Sequence, residues 1–574
     1  MNVVRPTLGV LNMRESIGPR ISVLVACALA VAACDGSATK SEDASAVGGS
    51  IVIAAQNEPR TLLPPLATQI DEKIIADQIF EPLAWLGDEG HLDRAYRPGL
   101  ADSWTWENDS TAIVFHLNPK ARWQDGTPVR ASDVRFTFGL YADSVVGFKD
   151  RSSLAHIDSV SARDSVTAVF WFKDRYPEQF YDAATRLLIV PEHLLAREPR
   201  ATLLTSAFGR QPVGSGRFRL GKWTPNASIE LVADTGNYHG RPNLDRVIFA
   251  VTADNNALST RLTTGEVDLA EVSTPAMFRT LKDQSDLRAR MNPAYDYSFL
   301  LFNARQAKQR QRPNALFADI GLRRAISMGL DRGKLVRSLF DSLAVVSTGP
   351  MTRAQPLADS TIATIGYDSA GAARLLDSLG WTLPAGKTVR ERRGQPLKFA
   401  VLVPSISPNR MALIVAIQES LRKLGVQVTV DAVDGNTFLG RLAARDFDVV
   451  FHGMHAEPSV SGLRASWTVA SARDANGLNF GNYENPRFDA HLDSALAARD
   501  LASARPHAKE AFETIVADVP AVWLYETRTA TLMHKRIRPV HLVSTAWWAG
   551  IADWSIPPGE RLPRDRVGLR VAAR

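Results

Sequence analysis

Two histidines three positions apart, in Phe451-His452-Gly453-Met454-His455, have the most chemistry to offer of any residues in this chain. A neutral imidazole can hydrogen-bond a carboxylate or ligate a metal ion. Metal sites mostly need three or four ligands, so two histidines that hydrogen-bond are the reading kept here. Other reactive-looking stretches point away from catalysis. Pro212-Val213-Gly214-Ser215-Gly216 sets a serine among glycines, but the Gly-x-Ser-x-Gly spacing is absent and no histidine is placed to activate Ser215. His193, just after Pro191, reads as part of a helix start. The chain has no Gly-x4-Gly-Lys-Ser/Thr phosphate loop and no His-Glu-x-x-His pair. A hydrolase would need a nucleophile, a base and an oxyanion donor in mutual reach. It stands as an alternative from another class, beside a surface interaction protein. The expectation is no enzyme activity, no cofactor and no resident metal.

At 574 residues, 45% hydrophobic and 22% charged, the chain exceeds what one core organises, so two or three domains are expected. Its net charge of +6 is spread along the sequence with no long Lys/Arg block, which argues against a nucleic-acid surface. Arg5, Arg14 and Arg20 precede an apolar run from Ile21 to Ala33. That run falls short of the roughly 20 residues a membrane span needs, so residues 1–33 read as a secretory signal. Its end, Val31-Ala32-Ala33-Cys34, resembles the lipobox of bacterial lipoproteins, in which Cys34 becomes the lipidated first residue. The other cysteine, Cys27, lies inside the removed segment, so the mature chain can form no internal disulfide. Residues 34–49, small and polar, read as a flexible tether.

The elements that must position the candidate residues follow from periodicity. In the stretch from Leu100 to Phe138, Ala112–Leu117 is β-rich, Asp125-Gly126-Thr127-Pro128 makes a tight turn and Ser132 reads as an N-cap. The expected order there is strand, turn, strand, helix. Val160–Phe172 reads as a hairpin, and Asp254–Leu269 as a helix stopped by Gly265 before a strand that carries Asp268. Leu397–Val403, Asn409–Leu424 and Val426–Val433 read as strand, helix and strand, which suggests a parallel unit. Phe447–Phe451 reads as a buried strand leading into the loop that holds the histidines.

The order Leu100-Ala101, Trp104, Phe115-His116-Leu117, Asp125-Gly126-Thr127-Pro128, Asp133-Val134 and Phe136 resembles the signature block of the extracellular solute-binding proteins of family 5. These are the dipeptide, oligopeptide and nickel receptors of ABC importers. Further blocks follow in family order: Glu58-Pro59 with Thr61-Leu62 and Pro64, Pro212–Gly216, Ala318–Arg332, Tyr367–Trp381, Asn479–Asp493 and Pro520–Tyr525. Together they cover residues 50–535. The resemblance implies an α/β, two-lobed periplasmic-binding-protein fold of type II, with an extra subdomain and a hinge of two crossing strands. Its expected parts are lobe I at 50–73, the extra subdomain at 74–211, lobe I again at 212–294, lobe II at 295–524 and a lobe I return at 525–574. The implied partners are a small-molecule or peptide ligand, the permease subunits of an ABC transporter and the membrane reached through a lipid anchor. A monomer that binds no nucleic acid is expected, held in the periplasm. Asp35, after the lipidated cysteine, fits retention at the inner membrane.

Ligand contacts follow by position. In the family's peptide receptors an Asp in the loop after the strand ending at Phe451 pairs with the peptide's α-amino group. With Pro458 taken as the matching proline, Met454 occupies that place, which implies a peptide-like solute without a strict free-amine requirement. A chelated metal such as nickel is the lesser alternative. By the same logic the expected cleft residues are Thr68, Gln69, Tyr141, Tyr297, Phe451, His452, Met454, His455, Asn482 and Tyr483. Trp547, Trp548 and Trp554 read as packing of the C-terminal segment on the first lobe.

Overall fold

The computed structural model describes residues 47–87, 96–149, 151–272, 274–307, 309–405, 408–456, 460–474, 477–539 and 546–566. The signal segment, Cys34, Asp35, the tether through residue 46, and Glu457 and Pro458 lie outside them.

Fourteen strands carry the architecture: β1 (Ser50–Ala55), β2 (Ala101–Glu107), β3 (Ala112–Leu117), β4 (Ile157–Ala162), β5 (Thr167–Phe172), β6 (Phe218–Thr224), β7 (Ser228–Ala233), β8 (Arg246–Val251), β9 (Leu269–Val272), β10 (Leu287–Phe302), β11 (Lys398–Pro404), β12 (Gln427–Val433), β13 (Val449–His455) and β14 (Ala521–His534). Ten of them form one mixed sheet in the order β12-β11-β13-β10-β14-β9-β1-β8-β7-β6, and the short strand Ala344–Val345 adds to β14. β1 runs parallel to β8, and β11 parallel to β12 with the helix Pro408–Arg422 between them, as a crossover connection requires. A separate sheet, β2-β3-β5-β4, is the extra subdomain's.

β10 and β14 are long because each serves both halves of the large sheet. Leu287–Pro293 pairs with Arg528–His534, and Tyr297–Leu301 pairs with Ala521–Glu526. Between Pro293 and Tyr297 the register shifts, so β10 bulges where the chain passes from one half to the other. Pro293 suits that place because it has no N–H to give to the ladder. These are the two crossing strands. Each half has its own core. Ile51, Ile53, Ile75, Phe218, Phe249, Trp547 and Trp554 pack in the first, and Leu300, Phe302, Ile326, Val401, Ile417 and Phe451 in the second.

Around residues 100–138 the structure departs from the expected order. The hairpin is β2–β3, turned by Asn108, Asp109 and Ser110, all at positive φ. The Asp125 turn is closed by the Gly126 N–H donating to the Trp123 carbonyl at 2.8 Å and by the isolated bridge between Arg122 and Pro128, with no second strand among the described residues. Gly126 has φ +90°, and Asp125 accepts from the Thr127 N–H at 2.9 Å. The helix α2 (Ala131–Ala142) starts two residues early, with Arg130 rather than Ser132 at the N-cap position. Asp133 decides this, because its carboxylate turns back to accept from the Arg130 N–H at 2.8 Å.

Candidate functional site

Beside the crossing, alternation along β10 and β13 builds an aromatic wall. Tyr297 pairs with Met454 and Phe299 with His452, and directly opposed residues of an antiparallel pair share a face. Trp523 on β14 and Trp467, from the short helix Gly462–Trp467, complete it. The His452 ring stands edge-on between Phe299 (5.6 Å, 86°) and Phe480 (5.8 Å, 84°). Trp467 and Trp523 meet at 5.2 Å, and the Tyr297 hydroxyl reaches the Met454 sulfur at 3.5 Å. The gap enclosed by Phe299, His452, Met454, Trp467 and Phe480 is about 10 Å³, room for one water. Burial, helped by the Arg410 guanidinium, pushes the His452 pKa down to about 4, so the imidazole is neutral at neutral pH. The buried Trp523 indole N–H has no hydrogen-bond partner among the described residues, which leaves the wall an unused donor.

On the other half of the sheet, carboxylates gather near the same crossing. Glu271 on β9 accepts from the Trp547 indole at 2.6 Å, and Asp71 from the Asn57 N–H at 2.9 Å. Burial raises both pKa values, and Asp71 and Asp296 repel the charge on Glu271. Glu526, which pairs with Tyr297, is also raised by burial, although Arg353 binds it through its backbone N–H (2.8 Å) and its guanidinium (2.6 Å). Arg290 is an exposed cation on the sheet face that carries Glu271 and Thr531. The crossing thus joins an aromatic wall to a cluster of carboxylates and arginines.

Of the ten expected cleft residues, Tyr297, His452 and Met454 come together in the aromatic wall. The other seven do not join them. Phe451 points to the opposite face of β13, into the core with Val401 and Ile417, because neighbouring strand residues alternate. His455 is exposed and pairs with Asp296 at 3.0 Å. Since β13 runs through His455, the two histidines sit an odd number of residues apart on one strand and face opposite ways, so they cannot hold one ion between them. Thr68 and Gln69 are used by the start of the helix α1 (Ile70–Ile79), where their N–H groups donate to Glu72 at 2.7 and 2.9 Å. Tyr141 is buried on α2 against Phe148, with its hydroxyl oxygen accepting from the Leu188 backbone N–H. Asn482, at φ +53°, is a buried bracket that donates to Asn303 (2.8 Å) and accepts from Arg445 (2.9 Å). Tyr483 donates to Asp518 at 2.8 Å and lines a different, open pocket of about 410 Å³ with Arg305 and Asn485.

Sequence reasoning missed Phe299, Trp467, Phe480 and Trp523 as parts of the wall. Phe299 and Trp523 had a signal, since both lie within a few residues of the expected lobe boundaries at 294–295 and 524–525, where the crossing strands must run. Trp467 and Phe480 reach the wall from distant segments that no local pattern connects to β13.

The sequence profile of the bacterial extracellular solute-binding proteins, family 5, in its middle section matches residues 95–475. The chain belongs to this family. As a family 5 solute-binding protein it comes from a family of receptors rather than of enzymes. It is 24% identical to the oligopeptide-binding protein AppA of Bacillus subtilis over 527 residues, which is 90% of this chain and 94% of that protein. It is 28% identical to protein XP55 of Streptomyces lividans over 82% of each. Its fold matches the structure of B. subtilis AppA in complex with a nonapeptide at a TM-score of 0.72 and 22% identity, covering 89% of this chain and 99% of that one. It also matches NikZ of Campylobacter jejuni in complex with Ni(L-His), at 0.72 and 22%, covering 88% and 99%. The type II periplasmic-binding-protein fold is therefore established. No helix among the described residues is long and apolar enough to cross a membrane.

Proposed function

We propose that this protein is the receptor of an ABC importer, capturing a peptide or peptide-like solute at the crossing of its two halves and delivering it to the permease. The likeness to an oligopeptide-binding protein along nine-tenths of the chain carries this reading. The geometry supports it. The two halves are joined through the paired strands β10 and β14, which leaves them free to close on a solute that contacts both, so its affinity for the closed form shifts the population. The aromatic wall gives the crossing apolar ring surface, and the carboxylates near it supply hydrogen-bond acceptors. Met454, facing Tyr297 in the wall, offers an amine no counter-ion, and Glu526, which pairs with Tyr297 from β14, is already bound to Arg353, so free-amine dipeptides bind poorly there. The missing partner of a buried charge is worth about 3–5 kcal/mol.

A chelated metal of the kind that NikZ holds would meet a single imidazole of this pair, His452, which favours the peptide reading. Cys34 is read as the lipidated residue of a periplasmic, membrane-tethered protein, working as a monomer. Native mass spectrometry of the purified protein, followed by titration with the peptides it retains, tests the function. Retained or titratable peptides are the expected result. A protein that retains only metal chelates or sugars, and takes up no peptide from a digest, would overturn it.

A further inference from the structure

Among the described residues, the extra subdomain meets the far half of the molecule around Glu178. Glu178, only 1% exposed, accepts a hydrogen bond from the Val460 N–H at 2.9 Å, across 282 residues of sequence. Leu86 and Tyr181 pack beside it on the core that contains Tyr297, Trp467 and Val460. The presenting side is rigid. Glu178 immediately precedes the helix α3 (Gln179–Ala184), whose Phe180 ring lies 4.9 Å from Trp104 and 5.8 Å from Phe115 on the subdomain sheet. Asp182 is held by the Tyr176 hydroxyl (2.8 Å) and by Arg186 (2.8 Å), and Thr185 donates to the Ala84 carbonyl at 3.0 Å, tying in the strand next to Leu86. The receiving side belongs to the ligand wall. Val460 stands between the end of β13, which carries His452 and Met454, and the helix that carries Trp467, while the Ala456 N–H donates to the Tyr295 carbonyl in the bulge of β10 at 2.8 Å.

We propose that the extra subdomain is a latch for the closed form, with Glu178 as the positioning residue that pins Val460, just before the helix of Trp467, and so sets the aromatic wall. The inference rests on the closure put forward above; the latch holds the arrangement described here in the ligand-free chain and a bound solute tightens it further, so its test needs no ligand. A carboxylate buried at such a contact is tolerated only while N–H groups satisfy it. The contact is therefore specific to the closed arrangement: once the halves part, Glu178 regains water and Val460 loses its acceptor.

Hydrogen exchange on the ligand-free full chain, read by mass spectrometry, tests this in Glu178→Ala and Glu178→Gln. In the alanine variant, peptides spanning Val460–Trp467 should exchange about tenfold faster or more, with the core strands β1 and β8 unchanged. The glutamine variant, which keeps an uncharged acceptor, should fall between. Small-angle scattering should show a larger radius of gyration for Glu178→Ala than for wild type. Unchanged exchange at Val460–Trp467, or faster exchange there without any change in the radius of gyration, would overturn the latch. Because no solute is added, a failure here is separate from a failure of the peptide-receptor reading.

Discussion

His452 is neutral because an aromatic wall replaces its water, and two phenyl edges hold its ring in place. His452→Ala is expected to weaken binding of the retained solute about tenfold by isothermal titration, since it removes packing and a polar contact together. His455→Ala, on the far face of the strand, should leave affinity unchanged. Asp77 gives a second prediction. It accepts from the Trp548 indole at 2.7 Å, and burial raises its pKa to about 6 from an ordinary value of 3.8. The native state therefore holds this proton more tightly than the unfolded chain. The resulting stability is complete below about pH 4 and lost as pH rises through about 6. His452 slopes the other way, because its folded pKa is lowered and stability is lost as pH falls from about 6.5 toward 4. The two contributions oppose each other, so the readout is a difference. Asp77→Asn should gain on wild type by about 2 kcal/mol more at neutral pH than at pH 4 in urea melts.

At the scale of elements, β1 and β9 depend on one buried carboxylate. Asp268 accepts from the Val52 N–H at 2.8 Å and from Arg536 at 2.7 and 2.8 Å. Arg536 also binds Asp565 at 2.7 Å, so the C-terminal segment is tied to the first half of the sheet through this pair. Asp268→Ala would leave Arg536 buried with half its partners, and a loss of about 3–5 kcal/mol in urea unfolding is expected. The glycine turn into β6 has a different reason. At Gly214 a Cβ would collide with the Ile79 carbonyl at the end of α1, so Gly214→Ala should lower the melting temperature although the turn itself is unstrained.

For the whole molecule the expected signature is closure. Small-angle scattering with the retained peptide should give a smaller radius of gyration than without it, and an unchanged profile at saturation would remove the clamp mechanism. Mass spectrometry of the mature N-terminus should find Cys34 acylated and residues 1–33 gone; an unmodified start would remove the tether. Much of the molecular plan could be read locally. The parallel unit around the helix Pro408–Arg422 and the helix stopped by Gly265 follow from apolar period and glycine placement. The Asp133 cap did not, because Ser132 looks equally able to cap and only the carboxylate's reach to the Arg130 N–H separates them.

The sequence by itself determined the class of fold and the family, because signature blocks and hydrophobic period are local and survive in order along the chain. It also determined that the chain has only two cysteines, Cys27 and Cys34. Only the tertiary structure decided which candidates share a surface. His452 and His455 look like neighbours in sequence, yet the two-residue period of β13 turns them to opposite faces. Asn482 and Tyr483, taken for ligand contacts, are spent on Arg445 and Asp518, partners that lie 37 and 35 positions away. Trp467, outside every signature block, and Phe480, inside the block Asn479–Asp493, line one gap with His452 because packing joins segments through space, and one-dimensional order holds no record of that.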